Sequence, residues 1–490
     1  MVENSNNRIP NWLTRRVEST PNNKALQTGG NWLTWKELYA QVQDAATRLA
    51  GLGIGLGARV ALLLGNGREF VVMLHALGQL GVTVVPLNLR LTPSELSWQI
   101  NDIKADLIVY AENQRELTNA IKPEISCPIL DIAELADKPK AVFSPQEYFD
   151  LNSVHSIIYS SGTTGKPKGV LLSYGNHFWN AMASVLNLGH QRNDCWLAVL
   201  PLFHVGGMSI LLRSVLYGIP AVVHETFDPA AVNRVIDEDG VTIISVVANI
   251  LQRMLDERGD KPYPPTLRCV LAGGGPVPKP LLERCAALNI PVTQTYGMTE
   301  TASQAVTLAP EDALRKLGSA GKVLYPSELR VMNEGQPAKP GEVGEILLRG
   351  PNVTVGYANR PVETARALQD GWLHTGDLGK LDAEGYLYIV DRRTDLIISG
   401  GENVYPAEVE AVLLTHPQVE EAGVIGLPDE RWGQIVVAAV KLRPNSTLTE
   451  SELIEWCSTR LARYKVPKQV KFLDALPRNA AGKLVRRQLR

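Results

Sequence analysis

The chain is predicted to be an α/β protein, on three observations. Helix-like and strand-like segments alternate through the first half, short alternating strands separated by turns follow, and the last hundred residues read as a compact α+β unit. Leu38, Val42, Ala45, Leu49 and Leu52 recur at helical spacing, and a glycine-rich turn (Gly53, Gly55, Gly57) leads into the apolar run Val60 to Leu64. Val82 to Pro86 reads as a second buried strand. Thr92-Pro93-Ser94-Glu95 is a capping box with proline at the first helical position, so a helix starts there; Leu107 to Tyr110 repeats the strand signal. This order implies layers packed on a mostly parallel sheet. From about 318 to 390, Glu328 to Val331, Gly344 to Arg349 and Gly385 to Val390 are strand-like and separated by Gly, Pro, Asn and Asp, which predicts a smaller, more antiparallel subdomain. Beyond the polar segment Asp391 to Asp395, Pro406 opens a helix, Val436 to Leu442 forms a strand, and Thr449 caps another helix.

Composition excludes several classes. Length alone, 490 residues, calls for about three folding units at roughly 150 residues each. With 45% hydrophobic and 20% charged residues the chain is neither disordered nor fibrous. Forty-nine Lys and Arg against 51 Asp and Glu leave a net charge of −2, so the basic excess of a nucleic-acid binder is missing. The most apolar long stretch, Val205 to Val223, carries Arg213 in its middle, which argues against a membrane span. The N-terminus has no apolar signal segment. The five cysteines are scattered without a CxxC, as expected of reduced thiols in a cytoplasmic protein. The eight histidines form no metal-ligand spacing. Oligomeric state is left open, a homo-oligomer included.

The densest chemical signal is Ser160-Ser161-Gly162-Thr163-Thr164-Gly165-Lys166-Pro167-Lys168-Gly169, which follows the strand-like Ile157-Ile158-Tyr159. Phosphate oxygens need many N–H and O–H donors converging closely. Glycines let the backbone approach, four hydroxyls add donors and two lysines add charge. A Walker A loop is excluded by spacing: Gly165-Lys166 is followed by Pro167, and Ser160 stands where the first glycine belongs.

This run resembles the phosphate loop of the adenylate-forming superfamily, which comprises acyl-CoA synthetases, peptide-synthetase adenylation domains and beetle luciferases. It matches that signature at every position, and further ordered motifs extend the resemblance over nearly the whole chain. In Thr295-Tyr296-Gly297-Met298-Thr299-Glu300 the resemblance implies that Tyr296 stacks on adenine, Thr299 contacts phosphate and Glu300 binds Mg²⁺ directly or through water. A carboxylate beside a triphosphate needs a hard cation between them. Gly273-Gly274-Gly275-Pro276 resembles the adenine-pocket loop. Asp377 of His374-Thr375-Gly376-Asp377 resembles the residue that accepts from both ribose hydroxyls, a role its two acceptor oxygens suit; Trp372 and His374 are read as packing residues. Arg392 is implied to reach ribose or phosphate. Thr394 falls at the hinge, where many relatives carry Asp or Lys, and Gly400-Gly401 faces the coenzyme A channel. Pro477-Arg478-Asn479-Ala480-Ala481-Gly482-Lys483 matches the motif of the catalytic lysine.

The fold implied is a large N-terminal body, residues 1–392, with two layered α/β sheets and the β-rich 318–390 subdomain. A small mobile α+β C-terminal domain, 393–490, follows a hinge at about 391–395. The activity implied is activation of a carboxylic acid by ATP and Mg²⁺, then transfer to coenzyme A. The expected nucleotide contacts are Ser161, Gly162, Thr163, Thr164, Gly165, Lys168, Gly274, Gly275, Thr295, Tyr296, Asp377 and Arg392. Lys483, Thr299, Glu300 and His204 are the expected catalytic groups. In Pro201-Leu202-Phe203-His204-Val205-Gly206-Gly207, His204 stands where an amino-acid-activating domain needs an aspartate, so an amino acid substrate is disfavoured. Arg213 is costly to bury without an anion. Either an internal carboxylate pairs with it or it meets a second carboxylate on the substrate; His204, Gly274 and Ser303 would border the rest of the acid. Other aryl- or fatty-acyl-CoA synthetases, a luciferase-type oxygenase and a non-catalytic ATP-binding protein are the competing readings. The last would more readily have lost Lys483 or Glu300.

Overall fold

The computed structural model describes residues 7–160, 167–391, 396–444, 446–477, 484 and 486–489. The chain divides into two compact units. One comprises residues 1–89, 100–158 and 169–390; the other gathers Asp391–Arg490 with two short segments, Arg90–Gln99 and Tyr159–Lys168.

The first unit is built on two sheets. In one, Val154–Ser160, Thr83–Pro86, Arg59–Leu63, Leu107–Tyr110 and Ile129–Asp131 lie side by side in that order, parallel wherever their register is defined. Val60, Ala61, Leu62 and Leu63 are fully buried, as a strand covered on both faces must be, which explains why it reads as a continuous apolar run. The second sheet has six parallel strands: Lys24–Thr28, Ala221–Val223, Trp196–Ala198, Ile243–Val246, Cys269–Ala272 and Val292–Met298. Past Val292–Met298 it turns antiparallel through Ser303–Leu308 and Ser319–Val323 into the strands of the 318–390 region. The Thr295–Glu300 motif therefore sits where the pairing changes sense. Helices match their sequence signals: Trp35–Gly51 carries the Leu38 to Leu49 stripe inward, and Glu95 closes the capping box on the Thr92 N–H at 2.8 Å.

The second unit holds the antiparallel hairpin Val419–Asp429 and Gly433–Leu442, with Gln469–Phe472 added parallel and the helices Pro406–Leu413 and Glu450–Ser458. Its core gathers Val409, Leu413, Val424, Val436, Val440, Leu453 and Cys457. Among the described residues no helix is long and apolar enough to cross a membrane. Four of the five cysteines are buried and all five are free.

Three buried histidines give the first unit a pH dependence. His155 and His177 meet edge to face at 5.0 Å between ring centroids, and His177 Nε2 lies 2.9 Å from Ser156 Oγ. Burial lowers His75 to about 4, burial and the Arg213 charge lower His177 to about 3, and burial holds His155 well below its usual value. The folded state thus keeps these rings neutral while the unfolded chain protonates near pH 6.5. Their contribution is complete above about pH 6.5 and is lost as pH falls toward their folded values, at about 2 kcal/mol per histidine by pH 5. The urea midpoint is expected to fall steeply between pH 7 and pH 5, and His155→Phe to flatten that fall. Equal midpoints at the two pH values would contradict the assignment.

Candidate active site

Strand Val292–Met298 runs out of the parallel sheet and ends in the short turn Thr299–Thr301 before Ser303–Leu308 returns antiparallel. The reversal bulges at Tyr296/Gly297. A Cβ at Gly297 would lie 1.8 Å from the Ser303 carbonyl oxygen, so only glycine permits the approach. Ala302 and Ser303 hold φ of 55° and 117°. The Thr301 hydroxyl pins the turn: it donates to the Ser303 carbonyl at 2.8 Å and accepts the Met298 N–H at 3.0 Å. Strained non-glycine backbone held by its surroundings in this way is concentrated at functional sites.

Around that turn the first unit assembles its predicted groups in two clusters. Tyr296 is buried with Ala305, Val306 and Leu387, and its hydroxyl donates to Asp377 Oδ2 at 2.7 Å. Asp377 is itself buried, with its N–H on the Thr375 hydroxyl at 3.0 Å. Glu300, half-buried, accepts from the Tyr357 hydroxyl at 3.0 Å, and its carbonyl accepts the Thr354 N–H at 2.7 Å. Thr295 is held by its hydroxyl on the Val306 carbonyl at 2.9 Å. Gly274, with φ of 77°, follows Cys269–Ala272, and a Cβ there would meet Val247 Cγ1 at 3.2 Å.

The acid-pocket candidates sit at helix Val205–Tyr217. His204 is its N-cap, with its ring edge-on to Phe203 at 4.6 Å. Arg213 is 2% exposed. It donates to Asn180 Oδ1 at 2.7 Å, lies 5.4 Å from the Trp196 ring centroid, and its Nε finds no acceptor. Asn180 in turn donates to the Thr301 and Gln304 carbonyls, which ties Arg213 to the Thr299–Thr301 turn. Among the described residues no carboxylate forms an ion pair with Arg213. Burial lowers its pKa, and the neighbouring Tyr217 opposes that only in part.

In the second unit Gly400, with φ of 61°, donates its N–H to the Trp432 carbonyl at 2.8 Å, and any Cβ there would meet the Trp432 ring. Gly401 is exposed and Lys168 opens the strand Lys168–Ser173. Ser161, Gly162, Thr163, Thr164, Gly165, Arg392, Thr394 and Lys483 lie outside the described residues.

The packing assignment for Trp372 and His374 needs enlarging. Trp372 lies between the Arg330 and Arg349 guanidiniums at 4.4 and 4.5 Å, and His374 Nδ1 lies 3.1 Å from Glu345 Oε2. Sequence reasoning also missed Asn180 and Tyr357. Asn180 had one signal, an amide on the buried face of a helix; Tyr357 had none.

A single carboxylate with a tyrosyl donor, beside a turn rich in hydroxyls, suits a Mg²⁺ ion that arrives on its phosphates. Such an ion would keep most of its shell as water and phosphate oxygen, with Glu300 the residue that would hold it. No group of three or more His, Cys, Asp or Glu side chains forms a self-contained metal site among the described residues.

The fold and this turn define an adenylate-forming enzyme. The AMP-binding enzyme family model matches residues 13–358 and the AMP-binding enzyme C-terminal domain model matches 408–483, and the chain belongs to that family. It is 52% identical to the 2-succinylbenzoate–CoA ligase of Geobacillus kaustophilus over 482 residues, 98% of this chain and 97% of that protein. Among solved structures it resembles a double mutant of the Bacillus subtilis o-succinylbenzoate CoA synthetase bound with its product analogue OSB-NCoA. The TM-score is 0.94 and the identity 44%, over 98% of each chain. The same enzyme in complex with ATP and magnesium ion matches at a TM-score of 0.77 and 44% identity, over 98% of this chain and 99% of that one.

Proposed function

We propose that this chain is an AMP-forming acid–CoA ligase that converts 2-succinylbenzoate to 2-succinylbenzoyl-CoA, the activation step of menaquinone (vitamin K2) biosynthesis, in the cytoplasm. The observation that carries the choice of acid is Arg213. A fully buried cation with no carboxylate paired to it among the described residues favours a ligand bearing a second carboxylate besides the one activated.

Carboxylates are poor acyl donors because the leaving group would be oxide. In the first half-reaction a substrate carboxylate oxygen bonds to the α-phosphorus of ATP, the bond to the bridging oxygen breaks, and pyrophosphate leaves. No general base is needed, since a carboxylic acid is already ionised at pH 7. Both reactants are anions, so the work is positioning and charge stabilisation. Lys483 and Lys168 supply cations, and Thr163, Thr164 and Thr299 supply donors. Glu300 would hold Mg²⁺, whose charge offsets that of the phosphates. Tyr296 holds one oxygen of Asp377, which orients the carboxylate toward the ribose hydroxyls. In the second half-reaction the coenzyme A thiolate attacks the acyl carbonyl, the carbon–oxygen bond to phosphate breaks and AMP leaves; the thiol proton passes to solvent. Gly400 and Gly401 border the channel for that thiol. The division at 391–395, with Thr394 as hinge, would let the 393–490 domain serve both half-reactions in turn.

Asp377→Ala is expected to raise the KM for ATP about 100-fold with kcat little changed. The two hydrogen bonds to the ribose together contribute about 3 kcal/mol and are made equally in ground and transition states. Steady-state kinetics at saturating acid check this, and an unchanged KM would remove the ribose assignment. The function as a whole is tested by ATP–pyrophosphate exchange with aryl, fatty and succinylated aromatic acids. Exchange should depend on added acid and be fastest with 2-succinylbenzoate. A fatty or simple aryl acid outrunning it would reassign the substrate.

A further inference from the structure

The Lys483 motif is flanked by two anchors on one face of the hairpin Val419–Asp429 and Gly433–Leu442. Ahead of it, Leu476 packs with Ile425, Val437 and Ala439; after it, Leu489 joins the same cluster and Leu484 lies against it. Gly423 makes room for this: a Cβ there would stand 2.8 Å from Leu489 Cδ1 and 3.0 Å from Leu484 Cδ2. Beside these apolar contacts lies a charged one. Glu410, on helix Pro406–Leu413, accepts Arg486 Nε–H on Oε1 at 2.9 Å and Arg486 Nη2–H on Oε2 at 2.6 Å. Its Oε1 also accepts the Val424 N–H at 2.8 Å, so one carboxylate holds both the hairpin and the residue three positions past Lys483. Both side chains are largely buried, at 12% and 20% exposure.

A buried ion pair adds little net stability over an apolar pair of the same shape, whereas a two-pronged guanidinium–carboxylate contact fixes direction. We infer that Glu410 and Arg486 are positioning residues for the adenylation half-reaction: they fix where the chain carrying Lys483 departs from the hairpin. This rests on the reading of Lys483 as the catalytic lysine.

The test measures the two half-reactions separately in Arg486→Lys, Glu410→Gln and Lys483→Ala. Arg486→Lys keeps the charge and loses the fork. The expected result is that it and Glu410→Gln lower kcat for acid-dependent ATP–pyrophosphate exchange at least tenfold. KM values for ATP and acid should stay within about twofold, and thioester formation from supplied acyl-adenylate and coenzyme A within about threefold. Equal losses in both half-reactions would mean a merely structural pair and overturn the inference. If Lys483→Ala abolishes exchange while Arg486→Lys leaves it intact, the positioning role alone falls. If Lys483→Ala retains exchange, the catalytic-lysine reading falls and takes this inference with it. Gly423→Ala, which disturbs the same anchor through Leu484 and Leu489 without touching charge, should reproduce the selective loss; full exchange in that variant counts against the inference even if the charge variants fail to fold.

Discussion

Lys483→Ala is expected to lose adenylation by roughly 100- to 1,000-fold, the usual effect of removing one group that stabilises charge developing in a transition state. The same variant should still convert supplied acyl-adenylate and coenzyme A to thioester near the parent rate. The asymmetry follows from the chemistry. In the first half-reaction two anions meet at a five-coordinate phosphorus, and a cation there relieves a repulsion that nothing else on the substrate can. In the second, the thiolate adds at the acyl carbon and the charge passes through the carbonyl oxygen to the leaving AMP, so the reacting centre is carbon and a cation aimed at the α-phosphorus is not the group that it needs. Pyrophosphate exchange and single-turnover thioester formation measure the two arms. Equal losses in both would show that Lys483 has no special part in adenylation.

Arg213→Leu is expected to cut kcat/KM for 2-succinylbenzoate by about 100- to 1,000-fold, because the second carboxylate would then be buried against apolar surface at a cost of about 3–4 kcal/mol. Benzoate and other monocarboxylic aryl acids lack that group, so their slow turnover should change little or improve. The variant should fold: Arg213 is 2% exposed, no carboxylate pairs with it among the described residues, and leucine removes a desolvation cost. Asn180 keeps its Nδ2 bonds to the Thr301 and Gln304 carbonyls and loses only the donor to its Oδ1. Undiminished efficiency on 2-succinylbenzoate would place its second carboxylate elsewhere.

What could be read without coordinates was set by local chemistry. Triphosphate recognition favours glycine, hydroxyl and lysine in a tight run, so Ser160 to Gly169 could be read as a candidate phosphate loop. Buried parallel strands must be apolar on both faces, so Arg59–Leu63 and Leu107–Tyr110 were legible as strands. The groups that orient the site were not legible, because they pair across distance. Tyr296 and Asp377 are 81 residues apart, Glu300 and Tyr357 57, Asn180 and Arg213 33. No periodicity links such positions; they meet through tertiary packing, Asn180 and Arg213 for example across the helices Tyr174–Leu188 and Val205–Tyr217. For the same reason, sequence left both an internal ion pair and a substrate carboxylate open for Arg213. The grouping of Arg90–Gln99 and Tyr159–Lys168 with the C-terminal residues likewise depends on contacts distant in the chain, Lys465 reaching Glu95 and Glu408 at 2.6 and 2.7 Å among them.

The central claim is that ATP is split between its first and second phosphorus so that an organic acid departs as a mixed anhydride. The most direct measurement incubates the purified protein with ATP, Mg²⁺, 2-succinylbenzoate and coenzyme A and identifies the products by chromatography and mass. AMP, pyrophosphate and the thioester are expected in equal amounts, with none formed when the acid is left out. ADP and orthophosphate in their place would contradict it.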